Sequence, residues 1–181
     1  MKKLKIGDKA PDFIYETPWG KGLKFSESSA GKPSVLMFVR YLGCPICQTD
    51  IENLKNEIGI VEQGRENLYV VLQGSPETLA SLTEKEEWPF AVIIDHDGRI
   101  FRQYRVDPEG IIKYLHPAGL IAAVRATVQG YRNGRFEGRE TQLPAVFIVD
   151  QDGTIRLAHY GDHFPVRASS KAGAARVQRM P

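Results

Sequence analysis

One short unit constrains the fold of this chain more than any other. An apolar run, Ser34-Val35-Leu36-Met37-Phe38-Val39, leads directly into Cys44-Pro45-Ile46-Cys47. The run follows a break at Gly31-Lys32-Pro33 and lacks the polar alternation of a half-exposed strand, so it reads as a strand buried on both faces. Beyond the cysteines the period changes. Cys47, Ile51, Leu54 and Ile58 fall at i, i+4, i+7 and i+11, one stripe of a helix that Gly59 or Gly64 ends. A buried strand passing through a loop into an amphipathic helix is the opening unit of an α/β layer structure.

The same alternation runs along the rest of the chain. Leu68-Tyr69-Val70-Val71-Leu72 is a second buried strand, and Ser75-Pro76-Glu77 supplies the N-cap, first-position proline and first-turn acid of a helix reaching about Glu86. Phe90 to Asp95 is a third strand, Asp97 to Gln103 a short helix, and Ile111 to Tyr114 a short strand. His116-Pro117 opens a helix with Leu120, Ile121, Val124 and Val128 on its apolar face, and the Gly- and Arg-rich stretch 130–141 is a loop. Ala145 to Asp150 and Thr154 to Tyr160 flank the turn Gln151-Asp152-Gly153 as a closing hairpin. At the front, Asp12 to Tyr15 and Leu23 to Ser26 flank a Pro/Gly turn as an N-terminal β-hairpin. The order predicts an α/β chain: a mixed central sheet with right-handed crossovers, flanked by helices. Residues 1–166 form one expected domain, and the basic, aperiodic 167–181 a flexible tail.

Composition narrows the function classes. A net charge of +2 gives no basis for a nucleic-acid partner, and no apolar run is long enough to cross a bilayer. The basic start Met1-Lys2-Lys3-Leu4-Lys5 has no apolar segment behind it, so the expected location is cytoplasmic. The 2 cysteines of the chain lie three positions apart. Closing so short a loop stabilises little, so the pair is better explained by chemistry than by stapling.

That chemistry follows from position. Cys44 ends a strand-to-helix loop, where unpaired N–H groups and the positive end of the helix dipole favour the thiolate, the reactive form. Pro45 fits the first helical turn at no hydrogen-bond cost. Cys47 lies one turn on, within bonding reach and on the apolar stripe. The pattern predicts an exposed Cys44 that attacks and a sheltered Cys47 that resolves. Arg40, which follows the delivering strand, and Arg139, in the polar loop, are candidates for lowering a thiolate pKa; Arg139 reads more simply as solvated. Pro144, at the start of the fourth long strand, is explained equally by edge geometry or by a cis peptide beside a disulfide. A zinc site needs four ligands, and no second Cys/His pair has suitable spacing, so no metal and no cofactor are expected. His96, His116, His159 and His163 read as loop or surface histidines.

Phe38 to Cys47, Val71-Leu72-Gln73-Gly74-Ser75-Pro76-Glu77, Pro89 to Asp95, and the opening Gly7-Asp8-Lys9-Ala10-Pro11-Asp12-Phe13 together resemble the AhpC/TSA, peroxiredoxin-like branch of the thioredoxin superfamily. The resemblance spans about residues 6 to 164. It implies a thioredoxin fold and either disulfide exchange or thiol-dependent reduction of hydroperoxides, with a thioredoxin- or glutathione-type reductant. Peroxiredoxins carry Pro-x-x-x-Thr/Ser-x-x-Cys and a separate arginine. Aligned on Cys47, the threonine and proline positions hold Cys44 and Arg40; aligned on Cys44, they hold Tyr41 and Met37; the arginine position falls on Pro144. These departures favour an exchanger of protein or small-molecule disulfides on a peroxiredoxin-like frame, with Cys44 and Cys47 as the reacting pair. Other classes are a redox sensor acting through a partner, for which no motif is present, and a Cu(I)-handling protein. Soft thiolates suit Cu(I), but such proteins of this fold use CxxxC, a partner histidine and a membrane anchor.

Overall fold

The computed structural model describes residues 2–58, 67–82, 84–108, 117–131, 134, 137–139 and 141–161. The expected helix stops at Gly59 and Gly64, the strand at 111–114, His116, His163 and the tail from 167 lie outside them, as do the side chains of Ile58 and Leu120.

The apolar run after Pro33 forms β3 (Ser34–Phe38), and it lies inside the sheet because both of its faces are apolar. It pairs in parallel with β4 (Asn67–Leu72) and antiparallel with β6 (Ala145–Val149), matching Phe38 to Val71 on one side and to Ala145 on the other. β5 (Ala91–Ile94) extends the parallel part, and β7 (Ile155–Tyr160) returns along β6. The front hairpin, β1 (Ile14–Thr17) and β2 (Gly20–Lys24), joins through β1 to β5. Among the described residues this makes one mixed seven-stranded sheet of order β2-β1-β5-β4-β3-β6-β7.

The period of two along the strands divides the core into two layers. Met37, Val70, Val92 and Val146 face the side that also holds Cys44, Cys47, Ile51 and Leu54. Leu36, Phe38, Val71, Ile93 and Phe147 face the other. On that second face, Phe38 meets Phe101 and Phe147 edge-on at ring distances of 5.1 and 5.6 Å, and Tyr104 at 5.2 Å. The first face is covered by α2 (Pro45–Ile58), with α5 (Pro117–Val128) beside it. The second face is covered by α1 (Phe25–Ser28) and α4 (Arg99–Gln103). α3 (Pro76–Leu82) links β4 toward β5.

Three local expectations are corrected. The strand expected over Leu23 to Ser26 stops at Lys24, because Phe25 turns inward to stack on Phe13 at 5.0 Å, and Asp12 accepts hydrogen bonds from the Ser26 N–H and Oγ. The helix from Pro76 ends at Leu82 rather than near Glu86, and a separate 3₁₀ turn holds Lys85–Glu87. On α5 the expected inward stripe faces out: Ile121, Val124 and Val128 are 67, 57 and 82% exposed, while Ala126 is buried. That helix, PAGLIAAVRATV, carries a single charge, Arg125, among apolar and small residues, too little contrast for periodicity to select its buried face. The closing turn forms as read, with Gly153 at φ +79° donating to the Asp150 carbonyl.

Candidate active site

β3 ends at Phe38, and α2 begins at Pro45, the proline at first helical position that the sequence predicts. The loop between them has its carbonyls individually held. Arg40 O accepts from Gln73 N, Tyr41 O from Cys44 N, Leu42 O from Gln48 Nε2, Gly43 O from Gly134 N, and Cys44 O from Gln48 N. Buried backbone acceptors demand partners, and here they come from β4's exit, α2 and residue 134.

Cys44 is therefore the N-cap of α2, its carbonyl taking the first helical bond and its sulfur the place of a capping hydroxyl. Cys47 N, at the third helical position, lies 3.4 Å from Cys44 Sγ. Arg40 Nη2 donates to the same sulfur at 2.8 Å, from a side chain only 1% exposed. These donors favour the anion. The Cys44 pKa is lowered to about 6, chiefly by the hydrogen bond from the Cys47 thiol, then by the Arg40 charge and the N–H groups of Cys47 and Ile46, against a burial that opposes ionisation. Cys47 moves the other way. Burial pushes its thiol well up, reinforced by its bond to Cys44 and the charges of Cys44 and Asp50, while Arg40 pulls down. The two sulfurs thus differ in protonation while sharing one hydrogen bond.

The expectation of an exposed Cys44 is corrected: Cys44 is 2% and Cys47 1% exposed. Cys44 sits in the layer of Met37, Val39, Tyr41 and Ile46, and Gly134 comes so close to Gly43 that a Cβ on it would lie 3.0 Å from the Gly43 Cα. Pro144 is buried one residue before Ala145, the partner of Phe38, and so stands at the same sheet end as the thiol loop; its carbonyl accepts from Gly161 N. Arg139 is not brought to the cysteines. Its N–H donates to Gln73 Oε1, and it lines a separate small cavity with His96, Arg102 and Gln142. His96 and His159 are exposed, and among the described residues no His/Cys/Asp/Glu group converges as a metal site.

Periodicity and motif spacing missed a polar tie beneath the loop. Gln73 and Gln142, both buried, join through their amides at 3.3 Å, and Gln142 Nε2 donates to Val106 O at 2.7 Å. The available signal was a glutamine continuing the apolar run Val70-Val71-Leu72 without a turn residue between.

A mixed sheet with helices on both faces and a cysteine pair at the N-terminus of the helix after a central strand defines a thioredoxin-fold thiol protein. The AhpC/TSA family model matches residues 6–158, and the chain belongs to that family. Solved structures share the fold at low identity. A peroxiredoxin-like protein from Aquifex aeolicus is 17% identical, with 97% of this chain and 89% of that chain covered and a TM-score of 0.68. Peroxidoxin BcpB from Mycobacterium tuberculosis is 16% identical, with 98% and 99% covered and a TM-score of 0.66. A thiol peroxidase from Chromobacterium violaceum is 14% identical, with 97% and 90% covered and a TM-score of 0.60. No curated protein sequence matches the chain. Among the described residues no helix is long and apolar enough to cross a membrane.

Proposed function

We propose that the protein is a thiol–disulfide oxidoreductase that cycles Cys44 and Cys47 between dithiol and disulfide. The observation that carries this reading is the asymmetry of the pair: one sulfur capped by α2 and bonded to Arg40, with its pKa near 6, and its neighbour held neutral by burial. The Cys44 thiolate attacks a substrate disulfide R–S–S–R′, forming Cys44–S–S–R and releasing R′–S⁻, which takes a proton. Cys47 then loses its proton and attacks the Cys44 sulfur, forming the intramolecular disulfide and releasing R–SH. The protein pair is oxidised by two electrons and the substrate reduced by two. An external thiol, of thioredoxin or glutathione type, returns the pair to the dithiol. Arg40 holds the thiolate, Pro45 opens the capping helix, and Pro144 stands at the same end of the sheet.

The burial of both sulfurs requires the Tyr41–Gly43 loop to yield as substrate docks. Among the described residues, a backbone bond from Gly134 N to Gly43 O at 2.9 Å ties it from outside.

A second reading is reduction of hydroperoxides, and the guanidinium at 2.8 Å from the sulfur favours it, since a fixed cation stabilises the departing oxyanion. There the thiolate would take the distal oxygen as a sulfenic acid, releasing an alcohol, and Cys47 would condense with it to the same disulfide, releasing water. The test is turnover of a protein disulfide and of hydrogen peroxide by wild type, Cys44→Ser and Cys47→Ser, each with a thiol reductant. Exchange as the principal activity predicts faster disulfide than peroxide turnover, with a trapped mixed disulfide in Cys47→Ser. Faster peroxide turnover with a sulfenic acid on Cys44 selects the second reading.

A further inference from the structure

A groove of about 600 Å³ opens beside the thiol loop, within the range of small-molecule sites. Among the described residues its apolar walls are Leu42, Ile51, Trp88 and Tyr131, and Gly43, the residue before Cys44, also lines it. Each wall comes from a different place: the loop, the stripe of α2, the chain after the 3₁₀ turn, and the residue just past α5. The groove is thus a product of the tertiary fold and not of one element. Trp88 is its largest wall and is held from two sides. Phe90 meets its ring edge-on at 5.5 Å, and Lys55 Nζ stands 4.4 Å from its centroid. A ring fixed in this way loses little entropy when a ligand packs on it. Among the described lining residues the carboxylates Glu52, Glu87 and Glu137 outnumber the one cation, Lys55, and those carboxylates work against an anionic occupant.

We infer that this groove sets the substrate class of the Cys44 reaction, with Trp88 and Tyr131 as specificity-determining residues. The occupant is a small disulfide with an apolar body and no net negative charge. The inference rests on the exchange reading. The apolar body lies against Trp88 and Tyr131, and the scissile sulfur reaches Cys44 past Gly43, its neighbour in the chain and a lining residue. The Cys44 thiolate bonds to that sulfur, the S–S bond breaks, and the distal half leaves as a thiolate that is then protonated. Cys47 displaces the retained half as its thiol, leaving the Cys44–Cys47 disulfide.

The test compares 4,4′-dithiodipyridine, which is neutral and aromatic, with cystamine, which has no apolar body, and oxidised glutathione, which is anionic. For each disulfide the ratio of variant to wild-type kcat/KM cancels intrinsic reactivity. Trp88→Leu and Tyr131→Ala are expected to lower kcat/KM for the aromatic disulfide about tenfold, mostly through KM, and at least about fivefold more than for cystamine. Tyr131 is only half-buried, so its variant keeps the test decisive should Trp88→Leu unfold. Removing the carboxylate in Glu137→Gln raises kcat/KM for oxidised glutathione relative to cystamine. Equal losses for aromatic disulfide and cystamine, or losses in kcat alone, overturn the inference. A binding measurement separates it from the thiol chemistry. In a Trp19→Phe, Cys44→Ser, Cys47→Ser protein, Trp88 is the remaining tryptophan, and 4,4′-dithiodipyridine is expected to quench it saturably. No saturable quenching overturns the groove assignment. Saturable quenching together with a wild-type pair that no disulfide oxidises overturns the exchange reading and leaves the groove standing.

Discussion

Arg40 Nη2 lies 2.8 Å from Cys44 Sγ, on a guanidinium that the fold buries almost completely. A buried cation needs an anion or strong acceptors around it, and the nearest sulfur is poised to become one. Each group thereby makes the charge of the other tolerable. The arrangement ties the acidity of the thiol to the packing of the loop that carries it.

That link makes Arg40→Met informative. The thiol of reduced wild type is expected to titrate near pH 6, so alkylation by iodoacetamide reaches half its maximal rate there. Removing the guanidinium moves the midpoint upward and slows alkylation at pH 7 by about two- to tenfold, as a rise of about one to two pH units in the midpoint requires. An unchanged midpoint would assign the acidity to the helix N-terminus and Cys47 alone.

Cys47→Ser and Cys44→Ser should differ in kind. Cys44→Ser loses exchange by at least about a hundredfold, because the attacking sulfur is gone. Cys47→Ser still attacks but stalls as a mixed disulfide, visible by intact-mass measurement. Cys47→Ala, which removes the donor to Cys44 where serine would keep one, leaves a cysteine that titrates at higher pH than in wild type.

Stability of the reduced protein depends on pH through the same pair. Cys44 has its folded pKa depressed, so its contribution is complete above the unfolded thiol value of about 8.5 and is lost as pH falls through about 6. Cys47 is raised, so above about 8.5 the unfolded chain ionises where the fold does not, and stability falls again. The urea midpoint of reduced wild type, relative to a Cys44→Ser, Cys47→Ser protein, should therefore climb from pH 6 to 8.5 and decline beyond. A flat difference would contradict the opposed shifts.

Gly138 allows the chain to lie against Gln73. A methyl group there would run into the Gln73 side-chain amide, which also accepts from Arg139 N and bonds to Gln142. Gly138→Ala is expected to lower stability by about 1–3 kcal/mol, the usual cost of overpacking, with a matching loss in urea midpoint.

Phe38 tests the opposite layer. Its ring is fully buried among Phe101, Tyr104 and Phe147, and Phe38→Ala should cost about 3–5 kcal/mol by denaturant titration. The thiol titration of the folded variant should hardly move, because Phe38 faces away from the cysteine layer.

Strands β3 to β7, α2 and the place of the cysteines were legible in the residues themselves. The apolar run Val35 to Phe38 demands burial on both faces, and its shortness and the breaker at Pro33 select a central strand, while the stripe Cys47-Ile51-Leu54 buries only as a helix. Local preference and position along the chain were enough there, and they also set Cys44 at a helix start and Arg40 close before it. What tertiary structure alone decided was everything that depends on residues far apart meeting. Gly134 reaches Gly43 from far along the chain, and the Gln73–Gln142 tie joins residues 69 positions apart. The groove draws its walls from four separate segments. The outward stripe of α5 belongs with these, since a helix with one charge, Arg125, among apolar and small residues takes its orientation from its neighbours. Periodicity reports which faces can be buried; only packing settles which of them are, and against what.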